Sequence, residues 1–195
     1  MNKKSNTATS YVNQLYELLL STTVTDITGS EMALDEGADR AVDLILDAHI
    51  TGNKAMVIGN GGSAAIASHL HNDLCKAVGV KSLVFHEQPL LTALANDHGY
   101  SCVFERPINM WAEENDLLVA ISSSGGSENI LCGTKAAIEK GCQIITLSGF
   151  KPDNPLRTSG SLNFYVASQS YGFVEVAHSA LAHLFTDLAI NKNTE

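Results

Sequence analysis

The spacing of apolar residues changes character once along the chain. Over residues 11–20, Val12, Leu15, Leu18 and Leu19 recur at helical spacing and leave a single apolar stripe. Ser30 then Glu31 opens a second helical stretch through Met32, Leu34, Ala38, Ala41, Val42, Leu44 and Ile45 to Ala48, stopped by Gly52-Asn53. From Lys54 onward, short apolar runs bounded by polar residues alternate with helical stretches. Residues 55–58, 81–85, 117–121, 143–147 and 162–166 predict strands, and 63–76, 89–96, 104–111, 128–140 and 172–190 predict helices. Runs with no polar face belong to strands covered on both sides. The fold class is therefore α/β, a doubly wound parallel sheet flanked by helices and preceded by an N-terminal helical pair. Residues 1–195 form one domain: a helical segment over 1–52 and an α/β core over 53–195. Ligands in such sheets bind beyond the carboxyl ends of the strands, where strand order reverses.

Two turns fall on that edge. Ile121-Ser-Ser-Ser-Gly-Gly-Ser127 lies between a predicted strand and a predicted helix, placing hydroxyls and free helix N–H groups around one point. Such a point holds a phosphate without any basic side chain. Gly59-Asn60-Gly61-Gly62-Ser63 is the second strand–turn–helix junction, where glycines let a ligand approach the backbone. It lacks the third glycine of a dinucleotide turn and the Gly-Lys-Ser/Thr of a P-loop.

Titratable residues gather on two predicted helices. His69 and Asp73 are four apart on one face, a spacing that suits a metal or a proton relay and equally an ordinary surface pair. His71 is rotated about 200° from that face. On the last helix stand Glu175, His178 and His183. Spacing alone pairs Glu175 with His178, while His183 is two turns on and offset by roughly 80°. Two imidazoles and two carboxylates make a reasonable zinc set.

Composition narrows the partners. With 195 residues, 45% hydrophobic, the chain can bury a full core. A net charge of −9 without a Lys/Arg cluster argues against nucleic acid or anionic lipid. Cys75, Cys102, Cys132 and Cys142 form no CxxC pair, as expected of a reduced, cytoplasmic protein. Asn2-Lys3-Lys4 is positive, but Asn13, Gln14 and Glu17 interrupt the apolar stretch that a signal peptide requires. No window is expected to reach the ~20 apolar residues of a membrane span, so the chain is read as soluble.

Taken in order, Gly59-Asn-Gly-Gly-Ser63, Asn96-Asp97-His-Gly-Tyr100, Ile121-Ser-Ser-Ser-Gly-Gly-Ser127 and Ile145-Thr-Leu-Ser-Gly149 resemble the sugar isomerase (SIS) domain, specifically the D-sedoheptulose 7-phosphate isomerase family. The resemblance covers nearly the whole chain. It implies a flavodoxin-like SIS domain that converts sedoheptulose 7-phosphate to D-glycero-D-manno-heptose 7-phosphate through an enediol, for lipopolysaccharide heptose. By motif, Asn60, Gly61, Gly62, Ser63, Asn96, Asp97, Ser122, Ser123, Ser124 and Ser127 hold the sugar phosphate. His69, Asp73, Glu175 and His183 hold one zinc per subunit, His183 here taking precedence over His178. Asp73 and His183 are the implied proton-transfer groups, with Glu175 as an alternative base.

The chain departs from that family at three positions. The family has Glu where Asp73 stands, Gln where Glu175 stands, and a basic residue where Ala77 stands beside Lys76. The resemblance also implies a homotetramer with sites between subunits, assembled through the leading helices. The alternative from another class is a non-catalytic binding protein resembling the replication-initiator-associating protein of the same fold, to which residues 91–97 are similar.

Overall fold

The computed structural model describes residues 7–193, so the Asn2-Lys3-Lys4 start lies outside the described residues. Helix α1 (Ala8–Leu20) begins where the Thr7 hydroxyl accepts from Ser10 N–H. Then follow β1 (Thr23–Asp26), β2 (Glu31–Met32) and α2 (Leu34–Ile50). The alternating part comprises β3 (Lys54–Gly59), α3 (Gly62–Asp73), β4 (Lys81–Val84), α4 (Gln88–His98), α5 (Glu105–Trp111), β5 (Leu117–Ser122), α6 (Glu128–Glu139), β6 (Gln143–Gly149), β7 (Leu162–Val166) and α7 (Tyr171–Asn193).

The strands lie in the order β2-β1-β7-β6-β5-β3-β4. From β4 to β7 all neighbours are parallel, and chain order among those five is the flavodoxin-like 2-1-3-4-5 arrangement. The reversal falls between β3 and β5, where Gly59 pairs with Ile121. The expected strands all form, within a residue or two. The expected purely parallel sheet is extended by two antiparallel strands, β1 on β7 and β2 on β1. Glu31 and Met32, expected in the second helix, are β2, and that helix starts only at Leu34. The run Thr22-Thr23-Val24-Thr25 is the β-branched signal that marks β1.

Each central strand is apolar on both faces because each face meets helices. From β5, Leu117, Val119 and Ile121 enter the core under α2, α3 and α7, while Leu118 and Ala120 enter the core under α4, α5 and α6. At 23 residues, α7 carries a stretch of mean hydropathy 1.2, long and apolar enough to cross a membrane. That corrects the expectation that no such stretch exists. In this fold it is a core helix, burying Val174, Ala177, His178, Leu181, Ala182, Phe185 and Ala189. Helix α1 buries none of its residues fully: Leu15, Leu18 and Leu19 rest on the core, while Tyr11, Val12, Tyr16 and Leu20 remain exposed.

Candidate active site

The two turns at the switch point enclose one cavity of about 120 Å3, lined by Asn60, Ser63, Ile121, Ser122, Ser123, Ser124, Ser127, Tyr171 and Glu175. Its polar walls are only partly committed: Ser122 Oγ accepts from Gly125 N–H and Ser124 Oγ from Gly126 N–H, each at 3.2 Å. Ser127 occupies the cap position of α6 without making a side-chain capping bond, so the first N–H groups of α6 have no such partner. Ser122 Oγ and Ser127 Oγ are 3.4 Å apart, at the limit of a hydrogen bond. Ser123 Oγ is buried with no hydrogen-bond partner among the described residues. A buried hydroxyl left unpaired costs stability, and a ligand oxygen would recover it. The cavity is far smaller than the ~300 Å3 of a pocket enclosing a whole ligand. It matches a phosphoryl group with the remainder of the molecule outside.

The backbone of the serine turn is supported from below by the loop after β6. Asn154, buried, donates to Ser148 Oγ at 3.3 Å, Gly149 O at 3.1 Å and Lys151 O at 2.8 Å. Its amide fills the space a side chain at position 125 would need, and Gly125 has φ +61°, so only glycine fits there. Gly62 lies against another part of the site. A Cβ there would stand 2.5 Å from the Glu175 carboxylate, which shows how closely α7 approaches the start of α3.

A second cluster lies where α3 and α7 run side by side. Asp73 Oδ2 is 3.4 Å from His69 Nε2 and 3.5 Å from His183 Nδ1, and the two rings meet edge to face at 4.6 Å. Among the described residues, these three form the one group of metal-capable side chains whose donor atoms lie within 4.8 Å of one another. Two atoms bound at about 2.1 Å to one tetrahedral ion stand about 3.4 Å apart, so the spacing suits a divalent cation. Both imidazoles are half exposed, which leaves an open side for a further ligand.

The structure thus joins His69, Asp73 and His183, and separately joins Asn60, Ser63, Ser122, Ser123, Ser124 and Ser127 with Glu175. Glu175 stands outside the group of three, against Gly62 and in the serine cavity. Gly61 and Gly62 shape the turn. Asn96 and Asp97 lie exposed on α4, bonded to each other at 2.8 Å, outside the cavity lining.

His178, which spacing alone preferred, is fully buried. Its Nε2 donates to Ser148 O at 3.1 Å, and burial pushes its pKa down to about 4 despite that bond. It is a neutral core residue facing the sheet, one helical turn from Glu175 but turned away from the cavity. Residues not foreseen are Tyr171, which walls the cavity, Asn154, and the pair Asn129 and Tyr100 that hold Asn60. Tyr100 closes the quoted Asn96–Tyr100 motif, and Asn129 follows the serine turn by two residues. Both were within reach of the sequence.

Residues 23–149 match the family model described as SIS domain. A phosphoheptose isomerase of Citrifermentans bemidjiense is 32% identical over 168 residues, covering 83% of this chain and 87% of its own. One from Campylobacter concisus is 35% identical over 154 residues, covering 73% and 78%. Among solved structures, a phosphoheptose isomerase from Francisella tularensis superimposes with a TM-score of 0.81 at 23% identity, covering 98% of this chain and all of the other.

Proposed function

The chain belongs to the SIS domain family, and we propose that it is a phosphosugar isomerase that interconverts sedoheptulose 7-phosphate and D-glycero-D-manno-heptose 7-phosphate. One observation carries the reading: a hydroxyl-lined phosphate cavity and a cation-type cluster share the same two helices. Glu175 and His183 are eight residues apart on α7, about 12 Å of helix. A ligand with its phosphate in the cavity therefore needs a chain of several carbons to bring its far end to the cluster. A seven-carbon sugar phosphorylated at its last carbon meets that requirement. The names of the relatives favour turnover over the non-catalytic binding alternative.

The serine hydroxyls, Ser63, Asn60 and the α6 N–H groups would hold the phosphate and fix the register of the sugar. His69, Asp73 and His183 would hold one zinc ion per subunit. When bound, zinc would polarise the substrate carbonyl and stabilise the negative charge of the enediolate. Asp73 stands at the cluster, where C1 and C2 would lie, so it is the better-placed base for moving the proton between them, whereas Glu175 lines the cavity at the phosphate end. His183 would carry the proton between the two oxygens through the ring nitrogen not turned toward Asp73. The departures from the family pattern leave a shorter carboxylate at the cation and add one in the cavity.

A homotetramer fits two surface features. The α1 stripe of Tyr11, Val12, Tyr16 and Leu20 is exposed in the single chain, and Asn96 and Asp97 lie on α4 where a neighbouring copy's site could use them. The acidic charge and free cysteines favour a cytoplasmic protein binding neither nucleic acid nor membrane.

The test is conversion of sedoheptulose 7-phosphate by purified protein, with metal content measured alongside. Glu175→Gln is expected to retain zinc and to keep kcat within about tenfold, since its carboxylate lies at the phosphate end. Asp73→Asn is expected to lose the zinc. The proposal fails if the wild-type protein neither binds zinc nor converts the sugar. A zinc-loaded Glu175→Gln that loses turnover would move the base to Glu175.

A further inference from the structure

Asn60 is held by an arrangement that uses more of its amide than simple support of a turn requires. Its Nδ2 donates to Asn129 Oδ1 at 2.8 Å, and Asn129 Nδ2 donates back to Asn60 Oδ1 at 2.9 Å. Tyr100 OH donates to that same Oδ1 at 2.9 Å. Three separate elements meet here: the β3–α3 turn, the first turn of α6 and the short helical turn at residues 100–102 after α4. Asn129 is buried at 3% exposure, and its reciprocal pair with Asn60 is part-buried.

The hydrogen inventory determines what this achieves. An amide has two acceptor lone pairs and two N–H donors. Both lone pairs of Asn60 Oδ1 are taken, by Asn129 and Tyr100, and one N–H is committed to Asn129. Flipped alone, the Asn60 amide would set Nδ2 against the N–H of Asn129, so the two amides hold one orientation relative to each other. What remains is a single N–H on a residue that lines the phosphate cavity. We propose that Asn129 and Tyr100 are positioning residues that lock the Asn60 amide with its free N–H presented to the phosphorylated sugar. This rests on the phosphosugar reading above and adds a division of labour: the turn binds, and two residues from other elements orient it.

Asn129→Asp removes the donor to Asn60 Oδ1 and supplies a second acceptor, which favours the amide turned the other way round. It is expected to raise KM for sedoheptulose 7-phosphate about tenfold with kcat changed less than about threefold, the scale of one oriented hydrogen bond. Tyr100→Phe is expected to raise KM about threefold, and Asn129→Gln, which keeps the amide chemistry, is expected to recover part of the loss. The decisive measurement is the cycle with Asn60→Ala. If Asn129 acts through Asn60, Asn129→Asp adds less than about twofold to KM in that background. A full tenfold addition there, or an unchanged KM in the single variant, overturns the inference. If Asn129→Asp does not fold, the same cycle with Tyr100→Phe decides, since that side chain is half exposed. Wild-type protein that converts the sugar while the cycle is additive sinks only this inference. Wild-type protein that does not convert it sinks the functional reading as well.

Discussion

The two ends of the sheet treat polar groups in opposite ways. At the amino ends of β3 and β5, Asp116 is completely buried and saturated. It accepts from Lys54 N–H at 2.9 Å, Glu113 N–H at 2.7 Å and Asn53 Nδ2 at 3.3 Å, and pairs with Lys54 Nζ at 2.7 Å. At the carboxyl ends of the same strands, Ser123 Oγ is buried without a partner, and the Ser122–Ser127 contact is stretched to 3.4 Å. One end spends its polar groups on holding the strands together. The other keeps them available and relies on Asn154 and Asn129 beneath the turns for rigidity. Sites that must bind are built by withholding internal partners, and stability is recovered elsewhere in the same sheet.

The largest test of that contrast is Asp116→Ala. Removing the carboxylate leaves two backbone N–H groups unpaired and Lys54 with Glu113 as its one remaining ion-pair partner, a loss of about 3 kcal/mol or more. For a chain of this length that lowers the melting temperature by at least about 6 °C. Sugar-phosphate KM for the folded protein is expected to stay within about twofold. A large change in KM would show that the two ends are not independent.

Acid gives the next largest effect, and it involves both ends. Burial pushes His178 down to about 4, whereas the unfolded chain takes up its proton near 6.5. Stability is therefore complete above pH 6.5 and declines as pH falls from 6.5 toward 4, by about 3 kcal/mol in all. Urea unfolding at stepped pH values measures it, and His178→Gln is expected to flatten the profile across that window. At Asp116 burial raises the carboxyl pKa, but Lys54, the Lys54 and Glu113 N–H groups and Asn53 lower it by more. Its contribution is present above the ordinary aspartate value and is lost only at lower pH, after that of His178. A profile that breaks first below pH 4 would reverse that order.

The smallest effect is the most diagnostic. Ser123→Ala removes a buried hydroxyl with no internal partner, so thermal stability is expected to hold or rise by a degree or two. Affinity for sedoheptulose 7-phosphate, measured by calorimetry, is expected to fall about tenfold. Destabilisation with unchanged affinity would mean that the hydroxyl serves the fold.

Local pattern determined much of this protein. The central strands declare themselves because burial on both faces leaves no polar position over residues 117–121 of β5, and the serine turn because its hydroxyls follow that run directly. The N-terminal edge was less legible. Two residues of β2 carry no period to detect, and β1 forms because β7 offers it an open edge. Distance along the chain hid the remainder. Helical spacing ties Glu175 to His178, but which of two histidines meets His69 depends on how α7 packs, and the sheet takes His178 for its core. The same packing carries Glu175 to Gly62 and leaves Asp73 between the imidazoles. A sequence states which groups are present and at what angles on their own helix. Where two helices cross, and so which groups meet, is decided only when their apolar faces share one core.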